Sequence, residues 1–313
     1  MAVYTKLSIS ELTGILQEYG LANISEINAM EGGHSNTNYS IKVNDEKYVL
    51  TLLEEMDLKQ AEQFSQLLEW LNNHSFYTSK ICLTTDGKTI THYKGKAIIL
   101  KKWLLGAVVE DLSTNMLEAI GCRLAQLHTI PVPNSISNTH PYDFDEFPAL
   151  FEIGLDLKYE GWLKRQYTKL KSTIPTQLPK GLIHGDLFID NVLFLNGQLS
   201  AFIDFEDARY YYLIFDIGMS IVGLCREGKD LNLNKMKSLI QGYESIRGLT
   251  ELEKNNLLLF IEYAATSTSK WRFWKYNIDS PSPSMKNKHK EMVEIAINAS
   301  NLSKEEFQIS VFE

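Results

Sequence analysis

Long apolar runs, paired cysteines and an excess of basic residues are all missing from this chain of 313 residues. The most apolar windows, 97–109 and 257–265, are short or interrupted by charged residues, so neither is suited to cross a bilayer. The three cysteines lie far apart without zinc-ligand spacing, which favours free thiols in a reducing compartment. A net charge of −8 leaves no basic footprint for nucleic acid. With no apolar signal segment at the start, we expect a cytoplasmic protein that binds neither membrane nor nucleic acid.

The first third of the chain predicts a small antiparallel sheet with few helices. A capping box over 8–11 opens a helix, and alternating apolar residues over 38–43 and 47–53 predict a hairpin. Helical spacing follows over 58–71. Further short strands are predicted over 81–83, 89–92 and 97–103, with Asp86-Gly87 as a hairpin turn.

After Gly106 the apolar pattern is mainly helical. Helices are predicted over 150–170, 216–225, 234–246, 250–277 and 286–299. The order of elements predicts an α+β, bilobal, protein-kinase-like fold. Its small antiparallel β-sheet N-lobe would be a nucleotide-binding lobe at 1–102, and its larger, mostly α-helical C-lobe at 103–313 would hold the catalytic and substrate residues.

Two polar segments lie within apolar, strand-like sequence between residues 183 and 205. Asp186 and Asn191 are five residues apart on one predicted loop, and Asp204 ends the next strand. Phosphoryl transfer from ATP to a hydroxyl requires positioning and charge neutralisation above all. Asp186 is therefore the predicted acceptor of the hydroxyl proton, and Asn191 and Asp204 are the predicted ligands of Mg²⁺.

Two neighbouring residues complete this predicted site. His184 should brace the catalytic loop by a hydrogen bond, and Asp216 should cap a helix and tether the loop. Glycine at position 185, between His184 and Asp186, removes the arginine through which a phosphorylated activation loop acts. This residue favours a small-molecule kinase over a protein kinase.

These motifs resemble those of the aminoglycoside phosphotransferase/choline kinase superfamily over nearly the whole chain. Segments 1–5, 31–39 and 48–52 are most similar to the homoserine kinases built on that fold. The resemblance implies transfer of the γ-phosphate of ATP to L-homoserine, giving O-phospho-L-homoserine in threonine biosynthesis.

On the nucleotide side, a Gly-Gly segment precedes the first strand of the predicted hairpin. Close backbone approach and polar donors there suit phosphate; the candidates are Gly33, Ser35, Asn36 and Thr37. Lys102 and Trp103 are expected opposite the adenine. Kinases of this architecture usually carry a basic residue on the third strand, but Thr51 stands there, so Mg²⁺ and the polar loop are expected to make more of the phosphate contact.

On the acceptor side, zwitterionic homoserine requires a cation and an anion beside Asp186. The candidates for its carboxylate are Arg209, Arg226 and Arg272, of which the resemblance favours Arg272; those for its ammonium are Glu206, Asp207 and Glu31.

Three alternatives stay open. Trp271, Trp274 and Tyr276 would suit a choline- or ethanolamine-type acceptor. Acidic residues within 129–149 would suit an aminoglycoside, and the missing strand lysine would suit a nucleotide-binding pseudokinase.

Overall fold

The computed structural model describes residues 5–30, 36–136 and 142–313. The chain divides into two compact units. The N-terminal unit holds the described residues up to Gly106 together with Pro133–Ile136, and the C-terminal unit holds the rest of the described chain.

The N-terminal unit is built on a five-stranded antiparallel sheet with the strand order β1-β2-β3-β5-β4. Its elements are α1 (Ile9–Glu18), β1 (Ile24–Ala29), β2 (Thr37–Val43), β3 (Glu46–Leu53), α2 (Leu58–Asn73), β4 (Thr91–Tyr93) and β5 (Lys96–Lys102). Alternate residues of β2 are buried, as its sequence pattern predicts, and they pack in one core with α1. The predicted capping box of Ser8 and Glu11 opens α1.

Strand pairing in this unit differs from the sequence prediction in two places. The chain does turn at Asp86-Gly87, where the Thr84 amide donates to the Lys88 carbonyl oxygen at 2.9 Å, but this turn does not join two of the strands described; the hairpin of the sheet joins β4 and β5 and turns at Lys94 and Gly95, both at positive φ. Within 81–83 only Ile81 makes a bridge, to Lys101. Strand β1 was not predicted, because its half-buried and exposed residues lack an apolar alternation.

The C-terminal unit is mainly helical. Its elements are α3 (Thr114–Thr129), α4 (Leu157–Thr173), β6 (Lys180–Ile183), β7 (Val192–Leu195), β8 (Gln198–Phe202), β9 (Arg209–Tyr212), α5 (Leu213–Leu224), β10 (Arg226–Glu227), β11 (Asp230–Leu231), α6 (Leu233–Glu244), α7 (Glu251–Trp274), α8 (His289–Asn301) and α9 (Lys304–Phe312). Glycines set the closest helix contacts. A Cβ at Gly121 of α3 would lie 2.0 Å from the Leu239 carbonyl oxygen, and one at Gly218 of α5 would lie 2.6 Å from that of Phe260.

Two short antiparallel strand pairs position the two polar segments of the sequence. Ile183 of β6 pairs with Arg209 of β9, and Val192 of β7 pairs with Phe202 of β8. The loop over 184–191 and the segment over 203–208 therefore begin and end at paired residues. This pairing brings the two polar segments of the sequence to the same end of the strands.

The predicted helix over 150–170 begins only at Leu157. The Glu160 carboxylate accepts hydrogen bonds from the backbone amides of Gly154 (3.1 Å), Leu155 (2.8 Å) and Asp156 (3.0 Å), which hold a non-helical turn. At the other end of the chain, α7 stops at Trp274 and continues as the π-helical turn Lys275–Asp279.

In the part of the chain that the structure describes, no helix combines the length and the apolar character that crossing a membrane requires.

Candidate active site

The catalytic loop, residues 184–191, is anchored through its backbone to Asp216 of α5. The Asp216 carboxylate accepts the His184 amide at 2.7 Å and the Gly185 amide at 2.8 Å. Asp216 lies in the first turn of α5, whose N-cap is Tyr212 without a side-chain cap. The expectation that Asp216 caps the helix is therefore wrong, because backbone amides of the loop occupy both of its oxygens. The expected tether to the loop is present.

His184 joins the two polar segments. Its Nε2 lies 2.9 Å from the Ile203 carbonyl oxygen, and the Asp186 amide donates to Nδ1 at 3.3 Å. Burial lowers the pKa of His184, which keeps the ring neutral. A neutral ring with its proton on Nε2 satisfies both contacts, so the imidazole links the start of the loop to the strand end before Asp204.

A second buried network supports the same anchor. The His128 ring of α3 lies between the Tyr243 hydroxyl (Nδ1, 2.7 Å) and the Asp216 carboxylate (Nε2, 3.1 Å). Arg247 donates to the Tyr243 oxygen at 3.1 Å, so the tyrosine proton is available for His128. The sequence could not identify the partners of His128, which come from two later helices.

Asn191 and Asp204 offer oxygens suited to a hard divalent cation. The Asn191 amide nitrogen donates to the Asp186 backbone oxygen at 2.8 Å, so its side-chain oxygen is not needed for that bond. Asp204 is exposed and adopts a left-handed backbone conformation with φ +67°, which is uncommon outside glycine and more frequent for aspartate than for most other side chains.

Among the described residues, no group of three or more His, Cys, Asp or Glu side chains could hold a metal ion. Asn191 and Asp204 supply one amide oxygen and one carboxylate, and Mg²⁺ is usually held by one or two protein oxygens together with phosphate and water. The acids Asp204 and Asp207 also concentrate negative charge around Asp186. Burial, then Asp207 and Asp204, raise the pKa of Asp186 well above its ordinary value. The donor set and the charge both fit a divalent cation.

The predicted acceptor-side arginines have different surroundings. Arg209 donates through Nη1 to the carbonyl oxygens of Glu206 (2.8 Å) and Ala208 (2.7 Å), so it holds its own turn together. Arg272 of α7 donates to Glu291 of α8 at 3.0 Å. The charge of Arg272 lowers the pKa of Asp186, opposing the effect of burial and of the nearby acids.

Tyr142 is a buried residue near the candidate acids that the sequence analysis did not identify. Its side chain is buried, and its pKa is raised well above the ordinary value by burial, then by Asp186 and Asp207. Its carbonyl oxygen accepts from the Tyr263 hydroxyl at 3.0 Å. The irregular segment around it carries no periodic signal that could have identified it.

The candidate nucleotide residues belong to the N-terminal unit. Gly33, Ser35 and the alternative acid Glu31 lie outside the described residues. Thr37 is fully buried, and its hydroxyl donates to the Glu54 carboxylate at 2.7 Å. Asn36 accepts the Glu54 amide at 3.1 Å. The contacts of Asn36 and Thr37 that are described here tie the start of β2 to the end of β3.

The amides of Lys102 and Trp103 also have partners within this unit. They donate to the carbonyl oxygens of Lys80 (2.9 Å) and Lys47 (3.0 Å). Thr51, at the place of the usual strand lysine, is buried and donates to Asn38 at 2.6 Å. An adenine contact from 102 or 103 would therefore need groups other than these two amides.

Comparison with known proteins identifies the group to which this architecture belongs. A family model described as the phosphotransferase enzyme family matches residues 26–249. A homoserine kinase of Brucella anthropi is 28% identical over 274 residues, covering 85% of this chain and 84% of that protein. A homoserine kinase of Nitrobacter winogradskyi is 29% identical over 273 residues, again 85% and 84% of the two chains.

Solved structures share the fold. A spectinomycin phosphotransferase in complex with ADP and spectinomycin superposes with a TM-score of 0.72 at 18% identity, covering 95% of this chain and 100% of that one. A microcompartment-associated aminopropanol kinase gives a TM-score of 0.73 at 16% identity, covering 98% and 99% of the two chains. These likenesses confirm the predicted α+β, kinase-like fold class.

The family model covers well over half of the chain and contains the loop that carries Asp186 and Asn191. The predicted superfamily and enzyme class are thereby confirmed: the chain belongs to the phosphotransferase enzyme family.

Proposed function

We propose that this phosphotransferase transfers the γ-phosphate of ATP to the side-chain hydroxyl of L-homoserine, with Mg²⁺ as the metal ion. The main support for the acceptor is the similarity to homoserine kinases across 85% of the chain. The product would be O-phospho-L-homoserine, which places the enzyme in threonine biosynthesis. A small-molecule acceptor agrees with the glycine at position 185.

Asp186 is the proposed base. Phosphoryl transfer makes the hydroxyl proton acidic only as the bond to phosphorus forms, so a positioned carboxylate is sufficient. A divalent cation held by Asn191 and Asp204 would favour this carboxylate form against the burial and the acids that raise the pKa of Asp186. Asn191 fixes the backbone of Asp186 through the 2.8 Å hydrogen bond, and Asp216 fixes the preceding two amides. The backbone of Asp186 is thereby held before the acceptor binds, and the Asn191 amide nitrogen also lies 3.4 Å from the Asp186 carboxylate. Such positioning is the main contribution a protein makes to this reaction.

Asn191 and Asp204 are the proposed metal ligands. When bound, Mg²⁺ would neutralise charge on the transferred phosphoryl group. The left-handed conformation of Asp204 and the pairing of Val192 with Phe202 hold the two ligand-bearing segments at one end of the strands.

The two parts of the chain are proposed to bind different substrates. Residues 1–102 would bind ATP, using Gly33, Ser35, Asn36 and Thr37 for the phosphates and the segment at Lys102 and Trp103 for the adenine. Residues 103–313 would carry the catalytic groups and the acceptor. The hydrogen bonds of Thr37 and Asn36 to Glu54 would then make these two residues supports of the phosphate loop.

Within the acceptor site, Arg272 is the proposed partner of the homoserine carboxylate. Asp207, whose charge acts on Asp186, is a proposed partner of the ammonium. Glu206 stays a candidate. Arg209 is the weaker arginine, because its Nη1 is engaged by two carbonyl oxygens.

A panel of acceptors with MgATP tests the proposal. We expect ADP release to rise many-fold with L-homoserine and to stay at background with choline, ethanolamine and kanamycin. Background release with homoserine at millimolar concentration would exclude it as the substrate, and release with none of these acceptors would favour a pseudokinase.

Asp186→Asn tests the mechanism. We expect kcat to fall by about 10²–10⁴, the usual contribution of a positioned base. Asp111→Asn removes a carboxylate that is 99% exposed in the same unit and is the control, with kcat expected to change by less than about threefold. Full activity of Asp186→Asn would refute the assigned base.

A further inference from the structure

Two arginines from different elements share one carboxylate in the C-terminal unit. Glu291 of α8 accepts Arg226 Nη1 on Oε1 at 2.9 Å and Arg272 Nη1 on Oε2 at 3.0 Å. The three side chains are only 15–23% exposed. We call Arg226, Arg272 and Glu291 the arginine cluster.

This cluster lies beside the catalytic loop. Glu291 joins Arg272 of α7 to Arg226. Arg226 follows the end of α5, and a Cβ at Gly223 in the last turn of α5 would lie 2.7 Å from the Leu187 carbonyl oxygen. The end of α5 therefore touches the catalytic loop three residues before Arg226.

The charges of the cluster do not cancel. One carboxylate facing two guanidinium groups leaves a surplus positive charge, and Lys288 adds a further ammonium at 2.8 Å from Glu291. In the part of the chain that is described, the buried Arg226 Nε has no hydrogen-bond partner. A pair that served stability alone would be better satisfied, because an unpartnered buried donor is costly.

We propose that Glu291 positions Arg272, and that Arg226 offsets the Glu291 charge, so that Arg272 presents an unneutralised guanidinium to a carboxylate on the acceptor. The acceptor class would then be alcohols that carry a carboxylate, and not amino alcohols without one. This inference rests on the proposed transfer of phosphate to an alcohol. Guanidinium and carboxylate match as planar hydrogen-bonding groups, so such a contact discriminates strongly.

The two supporting residues act in different ways. Without Arg226, the Glu291 charge would be balanced by Arg272 alone, and the attraction for a second carboxylate would fall. Without the Glu291 carboxylate, Arg272 would lose its anchor. Glutamine at 291 has only one acceptor oxygen, so it could serve one arginine and would place an amide donor against the other.

Three acceptors separate the chemical groups in the test. L-Homoserine carries both a carboxylate and an ammonium, 3-aminopropan-1-ol lacks the carboxylate, and 4-hydroxybutanoate lacks the ammonium. Steady-state kinetics with MgATP would be measured for the intact protein and for Arg226→Met, Glu291→Gln and the control Glu294→Gln. Glu294 lies one turn further along α8 and pairs with the surface residue Lys229.

We expect the intact protein to prefer homoserine over 3-aminopropan-1-ol by about 100-fold in kcat/KM. Arg226→Met and Glu291→Gln should each reduce that preference by about tenfold or more, through a higher KM for homoserine. The KM for ATP, and kcat at saturating homoserine, should change by less than about threefold, which a general loss of structure would not allow. Glu294→Gln should behave as the intact protein.

The possible outcomes separate the two proposals. An unchanged preference in both Arg226→Met and Glu291→Gln would overturn the role of the cluster and leave homoserine phosphorylation in place. Equal kcat/KM values of the intact protein for homoserine and 3-aminopropan-1-ol would also overturn the role of the cluster and leave homoserine phosphorylation in place. Turnover of 4-hydroxybutanoate but not of homoserine would refute the proposed substrate and keep the carboxylate requirement. Turnover of 3-aminopropan-1-ol alone would refute both.

Discussion

Substituting alanine for Gly242 would place a methyl carbon in the contact between α3 and α6. A Cβ there would lie 1.9 Å from the Glu118 carbonyl oxygen and 2.7 Å from its carbonyl carbon. Both are backbone atoms of a helix, so neither can move alone. Ordinary carbon–oxygen contacts are about 3.3 Å or longer, so the two helices would have to separate by more than about 1 Å.

We expect Gly242→Ala to lower the free energy of unfolding by about 3 kcal/mol, the upper part of the range for overpacking. The residue next to it, Tyr243, holds His128 at 2.7 Å across the same contact, and His128 holds Asp216. Separation of the helices would stretch this link, so kcat should fall by about tenfold as well. A shift of the thermal midpoint by roughly 6–12 °C would accompany the loss of stability.

Chemical denaturation and steady-state kinetics, measured on the same preparation, would test this reasoning. Gly161→Ala is the matched control in the same unit, because a Cβ there meets only Arg165 Nη1 at 3.6 Å, an ordinary contact. Gly161 lies in α4, so this change should raise stability by about 0.5–1 kcal/mol. Equal effects of the two substitutions would show that the close approach of α3 and α6 does not limit stability.

Three further predictions follow from the buried contacts. Asp216→Asn should lower kcat at least tenfold and destabilise by about 3–5 kcal/mol, because one amide oxygen cannot accept both loop amides; unchanged kcat would exclude the tether. Tyr243→Phe should cost about 1–3 kcal/mol in denaturation experiments, since it leaves His128 and Arg247 without their shared partner; a neutral effect would contradict this. Burial favours a higher pKa for Glu291, but hydrogen bonds from Lys288 and Arg226 and the charge of Arg272 outweigh it and lower the pKa to about 2. The ionised Glu291 carboxylate therefore contributes fully to the free energy of unfolding above its ordinary pKa of about 4.3, and this contribution is lost as the pH falls towards 2. The difference in unfolding free energy between the intact protein and Glu291→Gln should therefore shrink from pH 7 to pH 3, and a difference that grows would refute the sign.

The catalytic loop could be predicted because its signal is local. His184, Asp186 and Asn191 lie within eight residues, and apolar strands on either side mark the boundaries of the loop. The strand pairing of Ile183 with Arg209 then brings the Asp204 segment alongside, as the spacing indicates.

Contacts between distant segments could not be predicted in the same way. Glu291 binds Arg226 and Arg272, which are 65 and 19 residues away in the sequence, and no periodic pattern of residues predicts such contacts. At Glu160 a local sequence signal is present, but side-chain hydrogen bonds override it. The sequence around 150–156 favours a helix, but three backbone amides find a better acceptor in that carboxylate.

Helix α5 touches the catalytic loop at two points, through Asp216 in its first turn and Gly223 in its last. The loop and this helix should therefore move as one body, and Tyr243 of α6 supports the same attachment through His128, whereas Arg226, Arg272 and Glu291 are joined to one another. The residues proposed for the chemistry and those proposed for acceptor choice are then separate in the sequence. An altered acceptor could evolve, or be engineered, through changes in and around β10, α7 and α8 while the geometry of phosphoryl transfer is inherited unchanged.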